Sequence, residues 1–305
     1  MRIITYGAGA IGCVIGGHLF RGGYPVVLVG NPHHMDAVKA NGLKLVTGDK
    51  TFVLPIPAAK TAKELVPFRD DDVVMLCAKS QHTFKCLGQL RNAGAPRTLP
   101  VFCCQNSIWN ESAALRVFDK VYGVMVFVDA IFLTPGEVIN PVTGRYGFLE
   151  IGCYPRGTDR LCEQIALALQ RARFSVRVTE DVMKAKAAKC LINLSNALHA
   201  ITDAKGDLKP FMDEIRREAT QVWSSAGIEW EDLESFKKRC HDNYGTEKTP
   251  SGYEHLSKGA WVSSWQSLAR GTGNIEAEQL NGDVVTLGRM LGIETPYNEL
   301  LWRIA

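Results

Sequence analysis

The sequence predicts an α/β domain followed by an all-α domain. Three observations carry that prediction. Short continuous apolar runs, such as Val73–Ala78 and Pro100–Cys104, alternate with helical stretches through the first half, as buried parallel strands do. A glycine-rich turn follows the first of these runs directly. After about residue 180 strand signals give way to helical periods at 181–203, 209–226, 229–241, 251–269 and 274–291. The boundary is placed to give domains 1–179 and 180–305, with a cleft between them where ligands usually bind.

Taken in order, Arg2–Tyr6 reads as a buried strand, and the turn after it opens a helix that ends at Gly22 and Gly23. Pro25–Val29 is the second strand, and 33–40 is helical up to Asn41 and Gly42. Leu43–Leu54 alternates around Gly48 and Asp49, which predicts a hairpin. Val121–Phe127, Ala130–Leu133 and Tyr146–Ile151 continue the strand series. Leu161–Ala172 reads as a helix and Phe174–Val178 as the last strand.

Composition narrows the function classes. With 305 residues, 46% hydrophobic and 22% charged, the chain is neither disordered nor fibrous. Its 35 Lys+Arg against 32 Asp+Glu leave a net charge of +3 without any block of like charge. A nucleic-acid or membrane-surface role therefore has no electrostatic footprint. The nine cysteines include no CxxC pair and sit mostly in apolar stretches, as small buried hydrophobes do in a reducing compartment. No Cys/His spacing suggests a metal site. Met1 runs straight into a strand and no apolar stretch reaches the ~18 residues of a membrane span, so a cytoplasmic protein is expected.

The turn Gly7, Ala8, Gly9, Ala10, Ile11, Gly12 is a GxGxxG placed between a strand and a helix at the start of an alternating series. That context makes it a dinucleotide loop of a Rossmann-type domain. Gly7 permits the tight turn, Gly9 lets a pyrophosphate approach the backbone, and Gly12 lets helix and strand pack. An NAD site usually carries Asp or Glu about 20 residues on. Here Val29, Gly30, Asn31, Pro32, His33 and His34 stand there, with neither an acid nor an Arg. The missing acid favours NADP, with Asn31, His33 and His34 able to donate hydrogen bonds to its 2′-phosphate.

Further motifs combine along the chain. Cys77, Ala78 and Lys79 end one central strand, and Gln105 and Asn106 end the next. Late in the sequence come Ser263, Ser264, Trp265 and Gln266, then Arg270 and Gly271, Ile275 and Glu276, Asn281 and Gly282. In this order the chain resembles the ketopantoate reductase family, over nearly its whole length. The resemblance implies NADPH-dependent reduction of 2-dehydropantoate, or of another 2-oxo acid, on a Rossmann domain followed by a helical substrate and dimerisation domain. It implies that Lys79 stands near the cofactor and that Asn106 presents its amide to nicotinamide and substrate. Where the family usually has glycine after this Asn, the chain has Ser107.

Lys186, Lys189, Asn193, Asn196 and Ala197 fall on one face at 100° per residue. The resemblance makes Lys186 the first choice for the catalytic lysine and Lys189 the second. Ser264, Asn193, Asn196 and Asn106 would bind substrate, and Glu276 would hydrogen-bond the reacting hydroxyl or the lysine. The expectation is a 2-dehydropantoate reductase of pantothenate biosynthesis, with NADP as cofactor and a small 2-oxo acid as partner. No nucleic acid, membrane or metal is expected, and a homodimer is left open. A reductase of a different 2-oxo acid and a non-catalytic NADP sensor stand as alternatives.

Overall fold

The computed structural model describes residues 1–202, 206–254, 256, 266–268, 271 and 275–305. Strand β1 (Arg2–Tyr6) leads through the glycine turn into α1 (Ala10–Arg21), then β2 (Val26–Val29) and α2 (Pro32–Asn41). The hairpin β3 (Leu43–Thr47) and β4 (Thr51–Leu54) precedes β5 (Ala58–Ala59), β6 (Asp72–Leu76) and α3 (Thr83–Asn92). Next come β7 (Val101–Cys103), α4 (Asn110–Leu115), β8 (Val121–Phe127), β9 (Glu137–Asn140) and β10 (Val142–Thr143). β11 (Phe148–Cys153), α5 (Arg160–Arg171) and β12 (Ser175–Val178) complete this half. The rest is helical: α6 (Val182–Asn193), α7 (Asn196–Thr202), α8 (Lys209–Ser225) and α9 (Leu233–Asp242). A short strand β13 (Thr246–Glu247) follows, then α10 (Asp283–Leu291) and α11 (Pro296–Ile304).

The main sheet has eight strands in the order β12-β11-β8-β7-β6-β1-β2-β5. It is parallel except where β11 runs antiparallel to β8. Continuous burial of β6 and β7 matches their continuous apolar runs, because helices cover both faces. One face packs Cys13, Leu19 and Leu169 from α1 and α5, and the other packs Leu87, Leu90 and Ala114 from α3 and α4. This is the Rossmann-type layer, and the helical region follows it. No described helix is long and apolar enough to cross a membrane.

Helix α6 lies directly on β8 and β11 because two glycines make room for it. A Cβ on Gly123 would stand 2.9 Å from Val182 Cγ1, and one on Gly152 would stand 2.3 Å from the Thr179 carbonyl. This close approach brings the side chains of α6 within reach of the strand carbonyls.

Several sequence expectations are corrected. Ala130–Leu133 is not a strand. Only Ile131 bridges Ile139, because Gln266 takes the run's polar backbone groups: its Oε1 accepts from Phe132 N–H and its Nε2 donates to the Ala130 carbonyl. The expected helix 181–203 is broken between Asn193 and Asn196, where Ser195 Oγ donates to the Ile192 carbonyl. Of the expected helix 251–269, residues 251, 252 and 254 lie in a turn and 266–268 in a helical turn, while most of the span lies outside the described residues. The helix expected over 274–291 opens instead with a π-helical turn, Glu278–Gly282, ahead of α10. Strands β9 and β13 and helix α11 were not anticipated.

Candidate active site

The chain leaves β1 for β2 on one side and later reaches β6 on the other, so the glycine turn sits at a topological switch point. Gly7 has φ +94°, and a Cβ there would stand 2.2 Å from Ala78 N. A Cβ on Gly12 would stand 2.7 Å from the Gly7 carbonyl and 3.2 Å from Cys77 Cβ. Both glycines are required by packing. Gly9 differs: a Cβ there meets nothing within 4 Å. It caps α1 without a side chain, so the first-turn N–H groups of Ala10, Ile11 and Gly12 face that open space. An open cradle at a helix N-terminus suits a pyrophosphate, and Ala8 is buried beneath it.

At the end of β2, Asn31 caps α2: its Oδ1 accepts from His33 N–H at 3.0 Å. The side-chain amide nitrogen has no partner among the described residues, so its unused end is a donor. His33 is exposed, whereas His34 is buried against Cys13 and the Gly136 N–H.

The ends of β6 and β7 hold a buried polar network. Lys79 Nζ donates to Ser267 Oγ at 2.6 Å, joining the sheet edge to the late segment. Ser80 N–H donates to Glu276 Oε1 at 3.1 Å. Ser80 Oγ and Asn110 Nδ2 both donate to the Asn106 carbonyl, at 2.9 and 2.7 Å. Gln105 Nε2 donates to the Ala78 carbonyl and Thr83 Oγ1. This network fixes the Asn106 backbone and leaves its side-chain amide without a partner among the described residues. Ser107 has φ +72°, a left-handed conformation that favours glycine, which gives a physical reason for the glycine usual at this point. Glu276 is also left-handed, at φ +59°, and is 8% exposed. Backbone strain of this kind gathers at functional sites. Among the described residues Glu276 makes no ion pair with Lys186 or Lys189.

Along α6 the two candidate lysines part company. Lys186 Nζ donates to the carbonyls of Cys103 and Gln105, each at 2.9 Å, and of Val124 at 3.3 Å, and lies 2.6 Å from Glu111 Oε1. Its side chain is 2% exposed and that of Glu111 is 0% exposed. Every ammonium proton of Lys186 is therefore engaged in the protein. Lys189 lies one turn further, where β8 ends, with Nζ 4.8 Å from the Phe127 ring centre. It has no hydrogen-bond or ion-pair partner among the described residues. Desolvation lowers its pKa below the ordinary lysine value, although Cys240 and Asp129 pull the other way.

Asn193 is 7% exposed, yet its amide also lacks a partner among the described residues. Asn196 starts α7, so the 100° spacing that set it on the Lys186 face does not run through the break. Ser264 lies outside the described residues.

Sequence reasoning missed Glu111, Ser80, Asn110 and Asp283. Glu111 looks like a surface acid at a helix start, and only its contact with Lys186 marks it. The Asp283 carboxyl, 3.5 Å from Ser107 Oγ, is pushed up to about 7 by burial. Away from the cleft, Cys153, Asp159 and Cys162 bring their ligand atoms within 4.8 Å of one another. Asp159 is engaged there in capping α5 and accepting from Tyr122 OH.

Comparison with known proteins adds a second line. Residues 3–156 match the family model described as Ketopantoate reductase PanE/ApbA, and residues 181–305 match its C-terminal counterpart. The chain belongs to the ketopantoate reductase family. It is thus a member of an oxidoreductase family. Its relatives include the 2-dehydropantoate 2-reductase of Pyrococcus abyssi, 28% identical over 99% of this chain and 96% of the relative. The Aquifex aeolicus protein of the same name is 25% identical over 100% of this chain and 96% of its own. Among solved structures, a PanE/ApbA family ketopantoate reductase from Ralstonia eutropha JMP134 superposes with TM-score 0.80 at 27% identity, covering 100% of this chain and 97% of that one. A D-mandelate dehydrogenase solved with NADH and anilino(oxo)acetate shares the fold, with TM-score 0.80 at 22% identity over 99% and 96% of the two chains.

Proposed function

We propose that the chain is an NADPH-dependent reductase of a 2-oxo acid, with 2-dehydropantoate as substrate. One observation carries the reading. Within a ketopantoate reductase fold, Lys189 Nζ and the amides of Asn106 and Asn193 are donors that nothing in the described protein uses. A 2-oxo acid presents a carboxylate and a carbonyl oxygen that need such donors. The names of the relatives support 2-dehydropantoate in particular.

Gly7, Ala8, Gly9, Ala10, Ile11 and Gly12 would hold the pyrophosphate, and Asn31 the adenosine end. Lys79 and Asn106 would border the nicotinamide. A bound reduced nicotinamide supplies the hydride. Lys189 donates the proton to the oxygen that gains charge, and its ammonium stabilises that charge as it develops. A lowered pKa suits an amine to this work near neutral pH. Lys186 takes the second place, as a positioning residue. It ties the end of β7 to the middle of β8 and to Glu111, and holds the loop that carries Asn106. Glu276, through Ser80, fixes the β6 end and offers its Oε2, which has no partner among the described residues, to the substrate hydroxyl. Asn193 and Ser264 orient the carboxylate, with Asn196 beyond them. The domains 1–179 and 180–305 face each other across this site.

The test is NADPH oxidation with a panel of 2-oxo acids that includes 2-dehydropantoate, branched aliphatic acids and an arylglyoxylate. The highest kcat/KM is expected with 2-dehydropantoate. A better aromatic substrate would replace the substrate assignment, and no turnover with any of them would make the chain a nucleotide-binding protein.

A further inference from the structure

We infer that Lys60 is the residue that recognises the 2′-phosphate on the cofactor's adenosine ribose. The inference deepens the NADPH reading above and rests on it. Nothing in the sequence near Asn31 offers a cation, yet the topology brings one there. β5 lies beside β2 with Ala58 and Ala59 paired to Leu28 and Val29, and Gly30 N–H donates to the Ala59 carbonyl at 3.2 Å. Lys60 therefore leaves the sheet next to Gly30 and Asn31, at the carboxyl end where an adenosine ribose is held in this fold class.

The local charges leave Lys60 available. Its Nζ lies 2.6 Å from Asp36 Oδ1, with side chains 37% and 56% exposed. An ion pair this open is worth little, and a phosphate carrying more charge and three acceptor oxygens competes well for the ammonium. The other nearby acid is withdrawn. Glu64 Oε1 accepts from the N–H groups of Lys60 and Thr61, and Oε2 pairs with Lys39 at 2.8 Å. Asn31 has its Oδ1 committed to His33 N–H, so it too presents a donor. An ammonium and an amide N–H₂ fit a phosphate, and Asp36 is the exposed carboxylate that the phosphate has to displace from Lys60.

Isothermal titration calorimetry with 2′,5′-ADP and with 5′-AMP tests the assignment, since the two probes differ in the 2′-phosphate alone. The wild-type chain should prefer 2′,5′-ADP. Lys60→Met should weaken 2′,5′-ADP by roughly tenfold, the size of one charge-assisted contact, and leave 5′-AMP unchanged. Lys60→Arg should keep most of the preference, and Asp36→Asn should strengthen it. Circular dichroism of each variant confirms the fold. Two failures are distinct. A wild-type chain that does not prefer 2′,5′-ADP overturns the NADPH reading and the role of Lys60 together. A preference that survives Lys60→Met overturns the role of Lys60 alone.

Discussion

Lys186 Nζ and Glu111 Oε1 meet at 2.6 Å with both side chains closed to solvent, at the ends of the central strands. The burial of this pair raises the Glu111 pKa, while the Lys186 charge opposes that rise. A pair of this kind is costly to break, because one partner removed leaves the other charged and buried.

Lys186→Met should therefore cost about 3–5 kcal/mol of folding stability. Urea denaturation measures it. Lys186→Met combined with Glu111→Leu should recover most of the loss, because no buried charge is left behind. A Lys186→Met protein as stable as wild type but without turnover would restore Lys186 as the proton donor.

Lys189→Ala should fold normally and bind NADPH as wild type does, with kcat reduced about 10²–10⁴-fold. The pH profile adds a second reading. The protonated amine is the active form, so wild-type kcat should fall as pH rises through the lowered Lys189 pKa. That fall should come below the ordinary lysine range of about 10.4. A profile flat to that range, or an active Lys189→Ala enzyme, rejects the assignment.

Glu276→Gln keeps an oxygen to accept from Ser80 N–H but loses the carboxylate charge. Turnover should drop roughly 10- to 100-fold, as for a lost charge-assisted hydrogen bond. Because Glu276 pairs with neither Lys186 nor Lys189, the deficit should be uniform across pH. A deficit that widens with rising pH would show that the carboxylate holds a lysine charged during turnover.

The glycine turn separates packing from ligand space. Gly7→Ala should fail to fold or lose much of its stability, since φ +94° and Ala78 N at 2.2 Å leave no room for the methyl group. Gly9→Ala meets nothing in the protein and should fold. It should still weaken NADPH binding by filling the cradle. Thermal melts and fluorescence titration of the two variants distinguish these outcomes.

Much of the fold was legible because its signals are local. Gly7, Gly9 and Gly12 announce their turn, and β6 and β7 announce burial on both faces by having no polar alternation. Ala130–Leu133 carries the same apolar signal and misleads, because a glutamine 134 residues after Phe132 supplies what a neighbouring strand would have supplied. The site was legible in its residue types but less so in their roles. Lys186 and Lys189 look alike along α6. What separates them is three carbonyls and an acid 75 positions away, and carbonyls leave no mark on a sequence. Lys60 was invisible for the same reason, since its place depends on β5 lying beside β2.

The short ladder between β10 and β13 has a mechanical consequence. Val142 pairs with Glu247 and Thr143 with Thr246, and Gly245 is pressed against the carbonyls of Thr143 and Arg145. The ladder adds to the ties that Lys186, Ser80 and Lys79 already make between the sheet region and the helical region. A swing that parts the helical region from the sheet must pull β13 off β10 as well as break those ties.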